Sequence, residues 1–387
     1  MVVFLGLSVG LWKYFNLEKN FSSEFLSPLG KSIGKIVLPS RPEVVGFIPT
    51  WMIGKTKTYG DELTQLIFSG IEVNEDGSLV WDVQSRKIYN ENYRLLKENI
   101  KKTGGKNILS IKLFDDKKME TFLASESARK NLDNEVRLVV EGEGFDGVNI
   151  DFEYMSNASR MLDEDFGIWL LQVKNAGWGE VSIDSFANTI IKGDGEKLKQ
   201  MMEKVDKLIV MAYDFHRPGS DFAGPVAPMK AGVGERSIEE ILQKIVEFNL
   251  DKKKIIMAYP LYGYEWETNT GEAKSLTRDG GYGRTVFYSE GVGITGVQMD
   301  ETAQSPWAAW TEKAKKSKLE TLKVGKKYKK VTTYYFVDQW HEAYFENEES
   351  LRIKIEAAKQ AQVGGVGFWA LGYEGKSSEL IKTLNSK

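Results

Sequence analysis

The feature that most constrains the fold of this chain is an alternation of short apolar runs with amphipathic stretches. The apolar runs have the length of buried strands and cover 44–48, 66–73, 108–113, 148–152, 181–186, 208–213, 255–259 and 363–371. Amphipathic patterns with a helical period lie between them, among others over 89–101, 127–141, 238–248 and 350–361. Parallel strands joined by helices use right-handed crossovers, and eight such strands predict an α/β fold, a closed (β/α)₈ TIM barrel. An open doubly wound sheet is the alternative, but no Gly-x-Gly-x-x-Gly turn follows the first run.

The interval between the seventh and eighth runs is too long for a single crossover, because it spans roughly 100 residues. Turn signals at Asp279-Gly280-Gly281 and a lysine-rich run over 323–330 lie within it. We therefore predict a small α+β insertion over about 264–331, between strand 7 and strand 8. Active sites of these barrels lie at the carboxyl ends of the strands, so the insertion should form one wall of the cleft. The lysines are typical of a solvated face and could also attract an anionic polymer.

Composition excludes several kinds of site. The 387 residues carry 52 Lys and Arg against 55 Asp and Glu, and the resulting net charge of −3 does not favour nucleic-acid binding. The chain has no cysteine, which excludes disulfides, thiolate nucleophiles and cysteine zinc sites. Since His216 and His341 are the only histidines, we expect neither a histidine zinc site nor a Ser-His-Asp triad, and no metal or organic cofactor.

Residues 1–15 are mostly apolar, but they are shorter than the about 20 residues that a membrane span needs. We interpret them as an export segment or an anchor that could attach the protein to a membrane, with a peripheral helix as the alternative. Residues 16–42 contain Pro28, Pro39 and Pro42 together with Gly30 and Gly34, which predicts a linker. The ordered domain is expected over 43–387, outside the cytoplasm and as a monomer.

The run at 148–152 carries the residues that indicate chemistry. Its apolar residues share one face, while Asn149, Asp151 and Glu153 share the other. In a barrel strand the apolar face packs under the helices, so these three polar side chains should point into the lumen. Burial and mutual repulsion should raise the pKa of at least one of the two acids, which suits a general acid. A structural hydrogen-bond network of buried acids is the alternative.

The spacing of the two acids limits the reaction that they could share. Residues two apart on one strand lie roughly 6.6 Å apart on the same wall. Asp151 and Glu153 therefore do not flank a glycosidic bond from opposite sides, as glycosidases with two catalytic carboxylates require. If the chain is a glycosidase, its nucleophile comes from elsewhere, and the N-acetyl group of the substrate is the known alternative.

This same strand resembles a family signature. The segment 145–153, with Asp146, Asn149, Asp151 and Glu153, is similar to the pattern Asp-x-x-Asp-x-Asp-x-Glu of glycoside hydrolase family 18, the chitinase-like enzymes. Further similarities follow the order of that family's motifs: Gly-Phe at 46–47, Met-Ala-Tyr-Asp at 211–214, Tyr-Pro-Leu-Tyr-Gly at 259–263 and Gly-Phe-Trp at 367–369. The resemblance covers nearly the whole ordered domain and implies the same barrel.

The chain departs from the family pattern at three positions. Asn149 stands in place of an Asp, Lys112 lies in a stretch that replaces Ser-x-Gly-Gly, and Phe47 replaces a Tyr. The Asn in the second acidic position, together with Ser305-Pro306 and His341-Glu342, most resembles the bacterial spore-cortex and cell-wall branch.

The resemblance implies a role for each matching residue. Glu153 is expected to protonate the glycosidic oxygen and then to act as the base for water. Asp151 is expected to orient the acetamide and stabilise an oxazolinium intermediate, and Tyr213 to hold the acetamide oxygen. We expect the amide of Asn149 to donate a hydrogen bond to Asp151. The expected substrate-binding residues are Asn149, Met211, Asp214, Trp369, Phe47, Trp51 and Tyr262.

The function that follows is a retaining, substrate-assisted hydrolysis of β-1,4 linkages after N-acetylglucosamine, in peptidoglycan or chitin. The expected partner is therefore a polysaccharide that contains N-acetylglucosamine. Two alternatives stay open: a catalytically silent sugar-binding protein of the same fold, which the acid at Glu153 argues against, and an endoglycosidase that acts on protein-linked glycans.

Overall fold

The computed structural model describes residues 42–324, 327–375 and 380–385. The predicted export segment or anchor over 1–15, and the predicted linker except for Pro42, lie outside these ranges. Across the part of the chain that is described, no helix combines the length and the hydropathy needed to cross a bilayer.

Eight parallel strands close into a barrel in the order β1-β13-β7-β6-β5-β4-β3-β2, which confirms the predicted fold class. The barrel strands are β1 (Glu43–Pro49), β2 (Gln65–Glu72), β3 (Lys106–Leu113), β4 (Gly147–Phe152), β5 (Glu180–Phe186), β6 (Lys207–Met211), β7 (Ile255–Pro260) and β13 (Gly365–Trp369). Each strand pairs in parallel register with its neighbours, as β4 does with β3 through Asn149 opposite Ser110. The carboxyl ends of all eight strands therefore meet at one mouth of the barrel.

The helices cover the outside of the barrel. They are α1 (Glu91–Lys102), α2 (Asp116–Ala124), α3 (Glu126–Glu143), α4 (Glu164–Lys174), α5 (Ala187–Lys192), α6 (Gly195–Met202), α7 (Ile238–Glu247), α8 (Tyr288–Gly291), α9 (Glu348–Ala361) and α10 (Leu380–Asn385). In α3, Leu132, Val136 and Val140 recur at every fourth position and are buried. The side chain of Ser125 caps its first turn, and Gly144 ends it with a φ of 65°, a conformation that glycine adopts at low cost.

Side chains of β4 point alternately to two different cores, one outside the barrel and one inside it. Val148, Ile150 and Phe152 belong to the large apolar core between strands and helices, where the ring of Phe152 stacks on Trp169 with centroids 4.9 Å apart. A smaller core fills the barrel lumen and consists of Val45, Phe47, Ile67, Ile108, Ile209, Ile256 and Ala258. Asn149 points into that lumen, as the period of two predicts. Asn149 is fully buried in this lumen, while Asp151, two residues further along β4, lines the open mouth.

The insertion after β7 is a five-stranded antiparallel sheet with the order β10-β11-β12-β8-β9. Its strands are β8 (Tyr262–Thr268), β9 (Gly283–Phe287), β10 (Gln298–Asp300), β11 (Ser305–Val324) and β12 (Lys327–Tyr344). The sheet begins two residues before the predicted bound of 264 and continues well past 331. The predicted insertion ended at the lysine-rich run, but the described residues of this run lie at the turn end of the paired strands β11 and β12, so the second strand of the pair continues beyond it.

The strands β11 and β12 extend far beyond their neighbours. β10 pairs with β11 only over Ser305–Trp307, and β8 pairs with β12 only over Trp340–Tyr344. The pairing between β11 and β12 continues without interruption as far as Val324 opposite Lys327. We call residues 311–324 and 327–340 the hairpin arm, a two-stranded ribbon that leaves the sheet at the level of Trp340.

Candidate active site

A cavity of about 320 Å³ opens where the barrel strands end. Nine of the ten predicted site residues line it, namely Phe47, Trp51, Asp151, Glu153, Met211, Tyr213, Asp214, Tyr262 and Trp369. The structure thus brings together residues from β1, β4, β6, β13 and the start of the insertion. Asn149 is the exception and does not line the cavity.

The end of β4 presents two acids to this cavity. Glu153 directly follows the strand, and its backbone N–H donates to the carbonyl of Leu113 at 3.0 Å, which holds it beside the end of β3. Asp151 lies one step deeper on the same wall and is 7% exposed. Lys112 is in register with Asp151 on β3 and also lines the cavity, where its positive charge faces the acids.

A third acid, Asp184 of β5, completes the group, and the sequence analysis missed it. Asp184 is buried, and its side chain lies within hydrogen-bonding distance of Asp151. Asp151 in turn contacts Glu153 in the same way. The signal was present in the sequence, because Ser182 and Asp184 alternate with apolar residues on β5 just as the polar residues do on β4.

Asn149 occupies a different place from the one predicted. It is fully buried beneath the cavity, and its Nδ2 donates to Oδ1 of Asp184 at 2.9 Å and to Oγ of Ser182 at 3.2 Å. The predictions that it binds substrate and donates to Asp151 are therefore corrected. The physical reason is the pairing of β4 with β5, which sets Asn149 opposite Ser182 and directs its amide sideways across the barrel.

Burial sets the protonation of these acids. The pKa of Glu153 is raised far above its usual value, first by burial and then by the neighbouring charge of Asp151. Burial likewise raises the pKa of Asp184, and the charge of Asp151 raises it further. Burial also raises the pKa of Asp151 itself, but to a lesser degree. Side-chain hydrogen bonds with Glu153 and Asp184, together with the charge of Lys112, lower the pKa of Asp151 and oppose this rise. These opposing effects favour ionisation of Asp151 over that of Glu153 and Asp184.

The opposite side of the cavity carries a second polar group. Asp214 follows β6 in a left-handed conformation, with a φ of 59°. Its Oδ1 accepts hydrogen bonds from the hydroxyls of Tyr262 at 2.5 Å and Tyr264 at 3.1 Å. Burial raises the pKa of Asp214, and these two hydrogen bonds partly offset the rise. Tyr213 stands beside it with its hydroxyl neutral, because burial raises the pKa of that phenol well above 10. Tyr264 was not predicted from the sequence.

Aromatic rings form the floor of the cavity. Trp369 ends β13 and packs against Phe47 and Trp51, with ring centroids 5.8 and 6.4 Å apart. The indole Nε1 of Trp51 donates to the hydroxyl of Tyr373 at 3.2 Å, which fixes the orientation of the Trp51 ring. Flat apolar ring faces of this kind can pack on the apolar face of a pyranose.

A second cavity of about 700 Å³ shares Glu153, Tyr213 and Asp214 with the first, so the two are continuous. Lys192, Arg217 and Arg236 lie in its lining. Arg236 pairs with Glu240, whereas Lys192 and Arg217 have no carboxylate within ion-pair distance among the described residues. Asp214 and Glu235 lie in the same lining, and Glu235 pairs with Lys274, so Lys192 and Arg217 are the cations of this lining that an anionic substrate could use.

The comparison with protein families decides what this barrel is. Residues 43–374 match the family model "Glycosyl hydrolases family 18", from β1 to the turn after β13. The chain belongs to glycosyl hydrolase family 18. It is thus a glycoside hydrolase by family, and the acid-bearing strand β4 lies inside the matched range.

Individual relatives agree with the family assignment. The cortical fragment-lytic enzyme of Bacillus subtilis is 22% identical over 274 residues, which cover 67% of this chain and 54% of the relative. The chain thus spans about half the length of that curated relative.

Among solved structures, the spore cortex-lytic enzyme SleL of Bacillus cereus matches with a TM-score of 0.66 and 18% identity, over 89% of this chain and 74% of SleL. A family 18 chitinase from Cycas revoluta, solved in complex with (GlcNAc)₃, matches with a TM-score of 0.68 and 17% identity, over 89% and 98%. At these identities the likeness shows the shared fold.

Proposed function

We propose that this family 18 protein hydrolyses the β-1,4 linkage after N-acetylglucosamine in peptidoglycan, with retention and with the substrate's acetamide as nucleophile. The observation that carries the proposal is the position of Glu153 in the cavity wall beside Asp151 and Asp184, where burial raises the pKa of its carboxyl group. A general acid must hold a proton at working pH, and burial gives Glu153 that property.

The first step is a proton transfer coupled to ring closure. Glu153 donates its proton to the glycosidic oxygen as that bond breaks, and the acetamide oxygen attacks the anomeric carbon to form an oxazolinium ion. Asp151, ionised beside two protonated neighbours, accepts a hydrogen bond from the acetamide N–H and balances the positive charge. The hydroxyl of Tyr213 donates to the acetamide oxygen.

In the second step water opens the oxazolinium ion. The carboxylate of Glu153 removes a proton from this water, which attacks the anomeric carbon from the face that the leaving group occupied. The product keeps its β configuration, and Glu153 regains its proton. The hydroxyls of Tyr262 and Tyr264 donate hydrogen bonds that orient the carboxyl group of Asp214. In this orientation Asp214 is suited to bind sugar hydroxyls.

The charge of the second cavity favours peptidoglycan over chitin. Lys192 and Arg217 line it beside Glu153 without carboxylate partners of their own. Peptidoglycan carries carboxylates on its peptides and on any lactyl group without a peptide, whereas chitin is neutral, so only the former gains from these cations. The cortex-lytic relatives support the same choice. Because a wall polymer lies outside the cytoplasm, the proposal includes an extracytoplasmic activity.

The test is a side-by-side digestion of purified peptidoglycan, chitin oligomers and an N-glycosylated protein, with mass analysis of the products. We expect peptidoglycan fragments that end in reducing N-acetylglucosamine, and a loss of about 10²–10⁴ in kcat for Glu153→Gln. Release of glycans from the protein alone would move the function to the endoglycosidase alternative. Binding of all three substrates without cleavage would indicate a sugar-binding protein.

A further inference from the structure

The hairpin arm presents one face that stays exposed along its length, and only Trp340 at its base packs against the described chain, beside Gly271. On a two-stranded ribbon, directly paired residues share a face, and that face recurs at every second position. All fourteen side chains on one face are exposed. We call this set the aromatic face: Thr311, Lys313, Lys315, Ser317, Leu319, Thr321, Lys323, Tyr328, Lys330, Thr332, Tyr334, Phe336, Asp338 and Trp340.

Four of the five aromatic side chains among the described residues of the hairpin arm lie on the aromatic face. Tyr328, Tyr334 and Phe336 are 73%, 63% and 67% exposed there, and Trp340 is 38% exposed at its base. The opposite face carries one aromatic residue, Tyr335, among its described residues, and seven of its side chains are buried or half-buried. Packing therefore does not explain this distribution of aromatic side chains, because the more buried face carries fewer of them. A row of exposed rings on one face is typical of a binding surface.

Charge identifies the kind of partner. The described residues of the arm carry eight Lys against three Asp and Glu, whereas the whole chain has a net charge of −3. On the aromatic face Lys313 pairs with Asp338, and Lys315 lies over the ring of Tyr334 at 4.2 Å from its centroid. Lys323 and Lys330 have no carboxylate within ion-pair distance among the described residues. The face is complementary to an anion.

The chemistry between the rings favours a glycan over a membrane. Hydroxyl side chains and lysines separate the apolar members, so that Leu319, Phe336 and Trp340 do not form one continuous apolar patch. Insertion into a bilayer needs such a patch. Separate ring faces with hydroxyls between them suit a polymer of sugar rings, each with an apolar face and a polar edge. From Tyr328 to Trp340 the face runs roughly 40 Å, which is the scale of several sugar units.

We propose that the aromatic face of the hairpin arm is a second glycan-binding site, which holds an anionic wall polysaccharide away from the cleft. Tyr328, Tyr334, Phe336 and Trp340 stack on sugar rings, and Lys315, Lys323 and Lys330 pair with the carboxylate groups of peptidoglycan. The choice of a wall glycan rests on the proposed function. The site itself serves binding, so its loss leaves the chemistry of Glu153 intact.

The test measures binding of the full chain to insoluble peptidoglycan in a Glu153→Gln background, which prevents digestion. The test pair Leu319→Ser/Tyr334→Ser removes one aliphatic and one aromatic residue from the aromatic face. The matched control Leu322→Ser/Tyr335→Ser removes the same residue types from the opposite face, where they are 46% and 48% exposed. We expect about tenfold weaker binding for the test pair and an unchanged affinity for the control.

Further measurements test the nature of the anion and of the partner. Lys315→Gln/Lys330→Gln should weaken binding and reduce its salt dependence. Peptidoglycan stripped of phosphate polymers should keep the affinity, and a loss of binding on stripping would overturn the assignment of peptidoglycan carboxylates as the anions. Equal effects of the test and control pairs, no effect of either, or retention on anionic phosphatidylglycerol vesicles in place of peptidoglycan would overturn the proposal.

The two proposals fail separately. With Glu153 intact, kcat/KM on soluble peptidoglycan fragments should be the same for the wild type and the test pair. Absence of cleavage by the wild type would contradict the proposed function and leave the binding result standing. A test pair that loses kcat/KM on soluble fragments to the same extent as binding would contradict a separate site on the arm.

Discussion

The side-chain amide of Asn149 donates a 2.9 Å hydrogen bond to Oδ1 of Asp184, on the neighbouring strand. Asn149 thereby fixes the orientation of Asp184, whose other contact is Asp151. The row of carboxyl groups in the cavity wall therefore runs from Asp184 through Asp151 to Glu153, and it crosses from β5 to β4. A neutral donor at one end leaves the protons to be shared among these three acids.

Asp184 should act as a proton-bearing donor to Asp151, and two substitutions separate that role from its charge. In Asp184→Asn the amide oxygen can accept from Asn149 while its NH₂ donates to Asp151, so kcat should stay within about threefold. Asp184→Leu removes the donor and should lower kcat by about tenfold or more. Steady-state kinetics on one soluble substrate checks both. Equal losses in the two variants would remove the donor role.

Asn149→Asp should shift the acidic limb of the pH–rate profile to higher pH. The change replaces a donor to Asp184 with another buried carboxyl, and like charges raise the pKa of neighbouring acids. Because Asp151 must be ionised for catalysis, activity should then begin at higher pH. The measurement is kcat/KM against pH, with Ser182→Ala as the control that alters the same hydrogen-bond group without adding a charge. Superimposable profiles for the wild type and Asn149→Asp would show that position 149 is not coupled to Asp151.

Glu153→Gln should stabilise the fold, and more so at high pH. Burial raises the pKa of Glu153 in the folded state above the value of about 4.3 in the unfolded chain. The protonated form is favoured on folding, so its contribution to stability is fully present below the unfolded pKa and is lost as pH rises toward the folded pKa. Glutamine does not titrate and avoids this loss.

Thermal unfolding at two pH values measures the effect. The Tm of Glu153→Gln should exceed that of the wild type at pH 8, and the difference should shrink at pH 4. Glu153 lies in a cavity at the mouth of the barrel, so the substitution leaves the core unchanged. A difference that grows toward low pH would mean that Glu153 is stabilised as a carboxylate.

The barrel and most of the site could be predicted from the sequence because both rest on local periodicity. The alternation of Val148, Ile150 and Phe152 with polar residues gives the inward row of β4 directly. The sequence alone does not predict which side chain of the next strand Asn149 contacts, because its hydrogen bond to Asp184 depends on the register of β4 with β5. The same holds for Tyr264, because its hydrogen bond to Asp214 joins the first strand of the insertion to the loop after β6.

The hairpin arm was missed for a different physical reason. Its lysines are spread over both faces of two paired strands, so a run such as 323–330 shows no apolar alternation in sequence. The rings of Tyr334 and Phe336 align with Lys315 only once β11 and β12 pair, since the pairing register sets which residues share a face.

The central claim is that the acetamide of the substrate supplies the nucleophile and Glu153 supplies the proton. The most direct measurement compares kcat/KM on two soluble peptidoglycan fragments that differ only in the acetyl group of the glucosamine at the cleavage site. We predict that the acetylated fragment is cleaved with retention, and that removal of the acetyl group abolishes cleavage while Glu153 is intact. Efficient cleavage of the deacetylated fragment would contradict the account and would point to a nucleophile supplied by the protein.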